Sequence, residues 1–422
     1  MYHGAVGLAD DTLLARCRVL DCTGVFGSLA GKLLGDLGAD VVKVEPPGGD
    51  AGRRTGPFAD DRPHPQNSLS WEAFNANKRG ITLALDNPDG RALFRALASE
   101  ADIVIEDWAP GRQDSLGIGY RSIARDHPRV VWASITPFGA TGPRSGYRAT
   151  DLVLMALGGS AYLTGDADRP PLRCTLPLSH AHAGAEAAAA CLLTLSGLAS
   201  TGQGQHIDVS MQETVAWTTM DALPMWWLER RDMTRGRWGR YNEQTGVWGK
   251  SVWRCKDGYV TFGLYAGPAR GRGTRAIVEW MAGEGRASPA LRAIDWTSPD
   301  AAPREQASYD SMAGEVEAFF ETKSVAELYE QAARDRVLLA PICTAEQVLG
   351  SPQLTARGYF RELEEGVAPG ARYPGYPVRM AGLAIGVRRR APRPGEHNVE
   401  IYCGELGITR AELATLKAAG AL

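Results

Sequence analysis

The chain has 422 residues, room for two domains or for one large domain with an excursion. Hydrophobic residues make up 44% and charged residues 23%, which suits a globular protein with a sizeable core, and the net charge of −3 gives no support for a nucleic-acid or basic membrane-surface role. Seven scattered cysteines, an odd number with no CxxC, argue against a disulfide framework or a zinc site and for a reduced, cytoplasmic protein.

The N-terminal MYHGAVGLADDT has no basic region followed by an apolar run, so no signal peptide is expected there. Arg18 to Cys22 is a strand candidate, Phe26 to Leu37 has helical spacing, and Val41 to Val44 is a second strand. Apolar strands flanking a helix point to a βαβ unit in a buried parallel sheet. The intervening turn, Thr23 to Ser28, lies at the C-terminal edge of that sheet, where α/β folds bind ligands, but it is not GxGxxG. Residues 46–65 read as an exposed Pro- and Gly-rich loop, Ile81 to Leu85 as a strand, and Asn87-Pro88-Asp89-Gly90 as the start of a helix to about Glu100. Ile103 to Ile105 and Val130 to Ile135 are further strands, which makes a doubly wound α/β domain the expected fold.

Residues 171–211 concentrate the chemistry. A Pro-punctuated loop runs into an Ala- and Leu-rich helix, about Ala183 to Leu198, then a turn, Ser200 to Gln205, and a strand, His206 to Met211. The helix is broken by Glu186 and reads as a core helix rather than a membrane span. His180 and His182 sit where loop becomes helix, a place suited to an anionic centre. Beyond residue 215 the texture changes: six of the eleven tryptophans fall between Trp217 and Trp253, as an aromatic pocket or an apolar interface. Strands at Gly249–Arg254 and Tyr259–Gly263, a Gly-rich loop at 265–273, helices at 304–321 and 324–335, and a polar C-terminal helix complete the chain.

No GxSxG, HExxH, P-loop or EF-hand pattern is present. His180, His182 and Glu186 have the residue types of a metal site, but no second pair completes one, so no metal is expected. Ser179–His180 is a poor nucleophile pair because adjacent side chains diverge.

In order and spacing, LGADVVKVEPPGGD (37–50), FNANKRGITLAL (74–85), ADIVIEDWAPG (101–111), LGIGY (116–120), PRVVWASITPFGATGP (128–143), TGQGQHIDVSMQETV (201–215), PQLTARGYF (352–360) and GEH (395–397) resemble the family III CoA-transferases, which include formyl-CoA transferase, the carnitine CoA-transferases and the α-methylacyl-CoA racemases. The resemblance implies a Rossmann-like large domain from 1–215 and 331–422, a smaller α+β domain with linkers at 216–330, and an interlocked dimer. Coenzyme A, or an acyl-CoA, would be a substrate lying along the strand edges, near Val25, Phe26, Lys78, Asp107, Trp108 and Met211. The family pattern has Asn-Phe in the place of Asp107-Trp108.

In these transferases an Asp attacks the acyl-CoA carbonyl, becomes a mixed anhydride, and then carries CoA as a thioester. By the resemblance it lies 22 residues before the Gly of TGxGQ, which here is His180, and nothing in 171–185 is acidic. An imidazole can be acylated but cannot carry CoA as a thioester. The racemase His-Asp would fall near Thr150-Asp151, where the His is missing. The expectation is therefore a subunit that pairs with a paralogous chain carrying the Asp, as in members built from two related subunits that activate dicarboxylic acids, with succinyl-CoA and an aromatic succinate such as benzylsuccinate as substrates. The alternatives are a homodimer using Glu186, a non-catalytic CoA-thioester-binding protein, and an acyl-CoA hydrolase or lyase with His180 as base.

Overall fold

The computed structural model describes residues 12–166, 168–235, 239–242, 245–367 and 370–422, with backbone alone for 239–242. The signal-peptide reading of the first residues and Trp238 lie outside them. The chain divides into two units, the first made of Met1–Ala161, Cys174–Leu223 and Pro352–Leu422, the second of Tyr162–Arg173 and Pro224–Ser351.

The first unit is built on β1 (Arg18–Cys22), α1 (Ser28–Asp36), β2 (Asp40–Glu45), α2 (Leu69–Asn75), β3 (Lys78–Thr82), α3 (Pro88–Ser99), β4 (Ile103–Glu106), α4 (Arg112–Ser115), α5 (Tyr120–Asp126), β5 (Val131–Thr136), α6 (Asp151–Leu157), α7 (Leu178–Thr201), β6 (His206–Ser210) and α8 (Met211–Trp217). The six strands pair in parallel in the order β3-β2-β1-β4-β5-β6. This doubly wound order places the switch point between β1 and β4.

Side chains alternate between two cores. Val19, Ile103, Ile105, Val131 and Ala133 face α1 and α7, while Leu20, Val42, Val104 and Trp132 face α3, α5 and the C-terminal segment. α7 is long and apolar enough to cross a membrane, but Ala183, Ala187 and Cys191 are buried in the first of these cores. Gly184 lets α7 close on α1: a Cβ there would lie 2.8 Å from that of Leu29.

β3 starts three residues before the expected Ile81, because Lys78 and Arg79 are buried with partners. Its outer edge is covered by the C-terminal segment: Gly80 N–H donates to His397 Nδ1 at 3.0 Å and Thr82 N–H to Asn398 Oδ1 at 2.9 Å. An otherwise open strand edge is thereby closed. The GEH motif at 395–397 thus has a position in the fold.

The turn before β6 is tight. A Cβ on Gly204 would fall 1.9 Å from the Val130 carbonyl oxygen, so Gly204→Ala is expected to destabilise the protein by about 2 kcal/mol or more, read as a lower thermal midpoint. An unchanged midpoint would show that the turn relaxes freely.

In the second unit, β7 (Gly239–Asn242) and β8 (Val247–Lys250) form a hairpin, and β9 (Val252–Arg254), β10 (Tyr259–Phe262) and β11 (Leu339–Pro341) form an antiparallel sheet. The helices Gly271–Gly283, Gln306–Phe320 and Val325–Asp335 pack a core around Trp253, Phe262 and Phe320. β11 pairs with β10, which carries this unit past residue 330, to Ser351. The tryptophan-rich stretch divides: Trp253 is core, whereas Trp217, Trp226 and Trp227 are exposed.

Candidate functional site

The turn after β1 and the residues after β4 meet at the sheet's switch point. Gly24 N–H donates to both oxygens of Asp107 at 2.8 Å, and Phe26 N–H to Oδ2 at 3.2 Å. α1 begins immediately beyond, with no side-chain cap and no acidic residue in its first turn. Burial pushes the Asp107 carboxyl up to about 6; the Gly24 N–H and Lys43 oppose the rise, and Asp50 and Asp21 add to it.

Below the turn lies a buried charge cluster. Asp21, Lys43 and Lys78 have no exposed surface. Lys78 Nζ contacts Asp21 Oδ2 at 2.7 Å and donates to the Ser28 carbonyl at 2.8 Å and Asn75 Oδ1 at 2.9 Å. Lys43 lies 3.7 Å from Asp21 Oδ1 and donates to the Thr23 carbonyl. Burial alone would raise the Asp21 carboxyl, but the two ammonium groups hold it below its ordinary value. Burial lowers Lys78 to about 8 in spite of Asp21. The cluster fixes the turn from beneath, since Asp21 also accepts from Thr23 N–H at 3.0 Å and from its hydroxyl at 2.6 Å.

Glu106, with no exposed surface, accepts from Trp108 N–H at 2.7 Å and from the Ser134 hydroxyl. Burial pushes its carboxyl up to about 7.

His180 occupies the first turn of α7, its ring edge-on to Phe26 with centroids 4.9 Å apart. Its Nε2 is buried without a hydrogen-bond partner. Burial lowers its pKa and nearby Asp151 opposes that, so the imidazole is neutral at pH 7. Asp151 starts α6, and its Oδ1 accepts from Ser179 N–H at 3.1 Å and Ser179 Oγ at 2.8 Å, which caps α7 from another helix. Asp151 Oδ2 is buried and unpaired. A buried polar atom left without a partner costs about 1–3 kcal/mol.

The site residues expected from sequence fall into three groups. Val25, Phe26, Asp107 and Trp108 gather at the switch-point edge: Val25 is exposed, Phe26 and Trp108 are half-buried, and Trp108 packs 5.9 Å from Phe94. Lys78 lies beneath that edge, its three donors already used within the protein. Met211 is fully buried and begins α8 rather than ending β6, because Ser210 accepts from Glu213 N–H as its N-cap. Glu186 is exposed on α7, six residues from His180 and so about 120° around the helix. Asp151 is the functional-site neighbour that sequence reasoning did not join to His180. At a separation of 28 residues from Ser179, the sequence carries no local signal of the contact.

A parallel doubly wound sheet with its switch point between β1 and β4, and with Gly24 and Asp107 at that edge, is an α/β fold of the class that binds ligands at such points. A family model for CoA-transferase family III matches residues 14–398, and the chain belongs to that family. It is 34% identical over 409 residues to succinyl-CoA:(R)-benzylsuccinate CoA-transferase subunit BbsE of Thauera aromatica, covering 97% of this chain and 98% of the relative. It is 29% identical over 422 residues to formyl-CoA:oxalate CoA-transferase of Streptomyces coelicolor, covering 96% and 98%. A CAIB/BAIF family protein from Brucella suis superposes with a TM-score of 0.79 at 25% identity, over 94% of this chain and 100% of that one. CoA thioesters are the substrates of such transferases. Among the described residues, no group of three or more His, Cys, Asp or Glu side chains is placed to hold a metal.

Proposed function

We propose that this chain is the non-nucleophile subunit of a cytoplasmic CoA-transferase that moves CoA between an acyl-CoA such as succinyl-CoA and a carboxylic acid, with an aromatic succinate such as benzylsuccinate as the first candidate. Its partner is a paralogous chain that carries the nucleophilic Asp, in an interlocked assembly. The observation that carries this reading is the first turn of α7. It presents the imidazole of His180 and no accessible carboxylate, since Asp151 is buried behind Ser179 and Glu186 lies elsewhere on the helix. The similarity to a protein named as a subunit supports it. So does exposed apolar surface in both units: Leu193 and Trp217 in the first, Trp227 and Leu228 in the second.

In this reading the CoA thioester lies along the edge at Val25, Phe26 and Trp108, Lys78 and Lys43 hold that edge from below, and His180 faces the acyl end. The unpartnered His180 Nε2 favours a second reading, an acyl-CoA hydrolase or lyase with His180 as base. The experiment is to assay transfer from succinyl-CoA to aromatic succinates with the chain alone and co-expressed with a paralogue bearing the Asp. Activity confined to the pair is the expected result. Full activity alone, lost in Glu186→Gln, would sink it. Acyl-CoA breakdown by the chain alone, stopped by His180→Ala, would establish the second reading. CoA binding without catalysis in either preparation would leave a non-catalytic thioester-binding protein.

A further inference from the structure

The two backbone N–H groups at the switch point are already occupied. Both Asp107 oxygens lie 2.8 Å from Gly24 N, and Oδ2 lies 3.2 Å from Phe26 N. No lysine or arginine forms an ion pair with Asp107 among the described residues. Its charge is held by amide dipoles and by Lys43 at longer range. This is the arrangement expected for a bound anion at the switch point of a doubly wound sheet, with the protein supplying the anion itself.

We propose that the Asp107 carboxylate is a built-in competitor for the anionic ligand of this subunit: it fills the Gly24 and Phe26 amides, so that a polyanionic CoA thioester binds well only once that carboxylate has taken up a proton. The inference rests on the reading of this edge as the CoA site. It makes residue 107 a determinant of which subunit of an assembly carries CoA. The competition is electrostatic as well as steric, because a second anion at the same edge would sit among Asp107, Asp50 and Asp21, whose charges Lys43 and Lys78 beneath offset in part.

The groups facing Asp107 are Asp21 and Cys22 on β1, Lys43 on β2, Asp50 in the loop after it, and Glu106 on β4. The carboxylate charge is present above a pKa of about 6 and is lost as pH falls through it. CoA affinity therefore rises as pH falls, with one proton taken up on binding. If only the protonated form binds, the apparent Kd tightens by about 15-fold from pH 7.5 to 6.0. Glu106 titrates nearby at about 7, so substitution at 107 rather than pH alone is the deciding comparison.

The test is calorimetric titration of the full chain with free CoA at pH 7.5 and 6.0, for the wild type and Asp107→Asn. The expected result is a Kd tightened by about tenfold or more at pH 7.5 in Asp107→Asn, with a pH dependence reduced to under about threefold. Equal affinities with the wild-type slope retained in the variant would overturn the competition alone. No binding of CoA by either form at either pH would overturn the CoA reading of the edge and the competition with it. Should Asp107→Asn fail to fold, Asp107→Ser takes its place with the same expectations, and a wild-type Kd constant from pH 7.5 to 6.0 would by itself refute the proposal.

Discussion

Mixed with succinyl-CoA and quenched, the isolated chain is expected to carry no CoA adduct by intact-mass measurement, while the co-expressed paralogue carries one. Its transfer rate alone should be at least about a thousandfold below that of the pair. The reason is chemical. A CoA carrier must have an acyl carbon of its own to bond to sulfur, and only a carboxylate supplies one. Imidazole attack on the thioester forms an N–acyl bond and releases CoA thiolate. The imidazole has no carbonyl to which the thiolate could bond, so the chain itself never carries CoA and the family's route stops there. Asp151 and Glu186 do not change this, since Asp151 Oδ1 is engaged by Ser179 and the residue is buried, while Glu186 is exposed about 120° around α7 from His180. A thioester adduct mapped to Asp151 would show that α6 opens and that the chain is catalytic after all.

Asp21→Ala is expected to cost about 3–5 kcal/mol, because it leaves Lys43 and Lys78 buried without their counter-ion. The thermal midpoint should drop steeply, or the protein should accumulate in the insoluble fraction. The loss comes from stranding two ammonium groups rather than from the strength of the pair itself. Combining Asp21→Ala with Lys78→Met should therefore be much milder than the sum of the two single changes. Because the Asp21 carboxyl is held below its ordinary value, its contribution is present above about pH 4 and fades as pH falls through the lowered pKa. An Asp21→Ala protein with an unchanged midpoint would mean that water reaches the cluster.

The parallel sheet was legible because its central strands carry apolar residues on both faces in short runs. β3 was read late because Lys78 and Arg79 look like loop residues. Their partners, Asp21 for one and Asp40, Glu400 and Glu405 for the other, are brought in from distant parts of the chain. Met211 looked like a strand end, yet Ser210 and Glu213 carry the spacing of a helix start. At the site, the residues of the switch-point edge could be named from motif order. What their side chains do could not, since the Asp107 hydrogen bonds span 81 and 83 residues. The orphaned Asp151 and His180 atoms are likewise products of two helix starts meeting in space.

The closure of β3 by His397 and Asn398 has a consequence for biosynthesis. The strand leaves the ribosome more than 300 residues before the segment that seals it. At about 5–20 residues per second, that edge waits roughly 15–60 seconds with its backbone groups unpaired. That edge of the sheet is therefore sealed only after the second unit has been made, and the nascent chain is most exposed to wrong strand pairing while the second unit is being made.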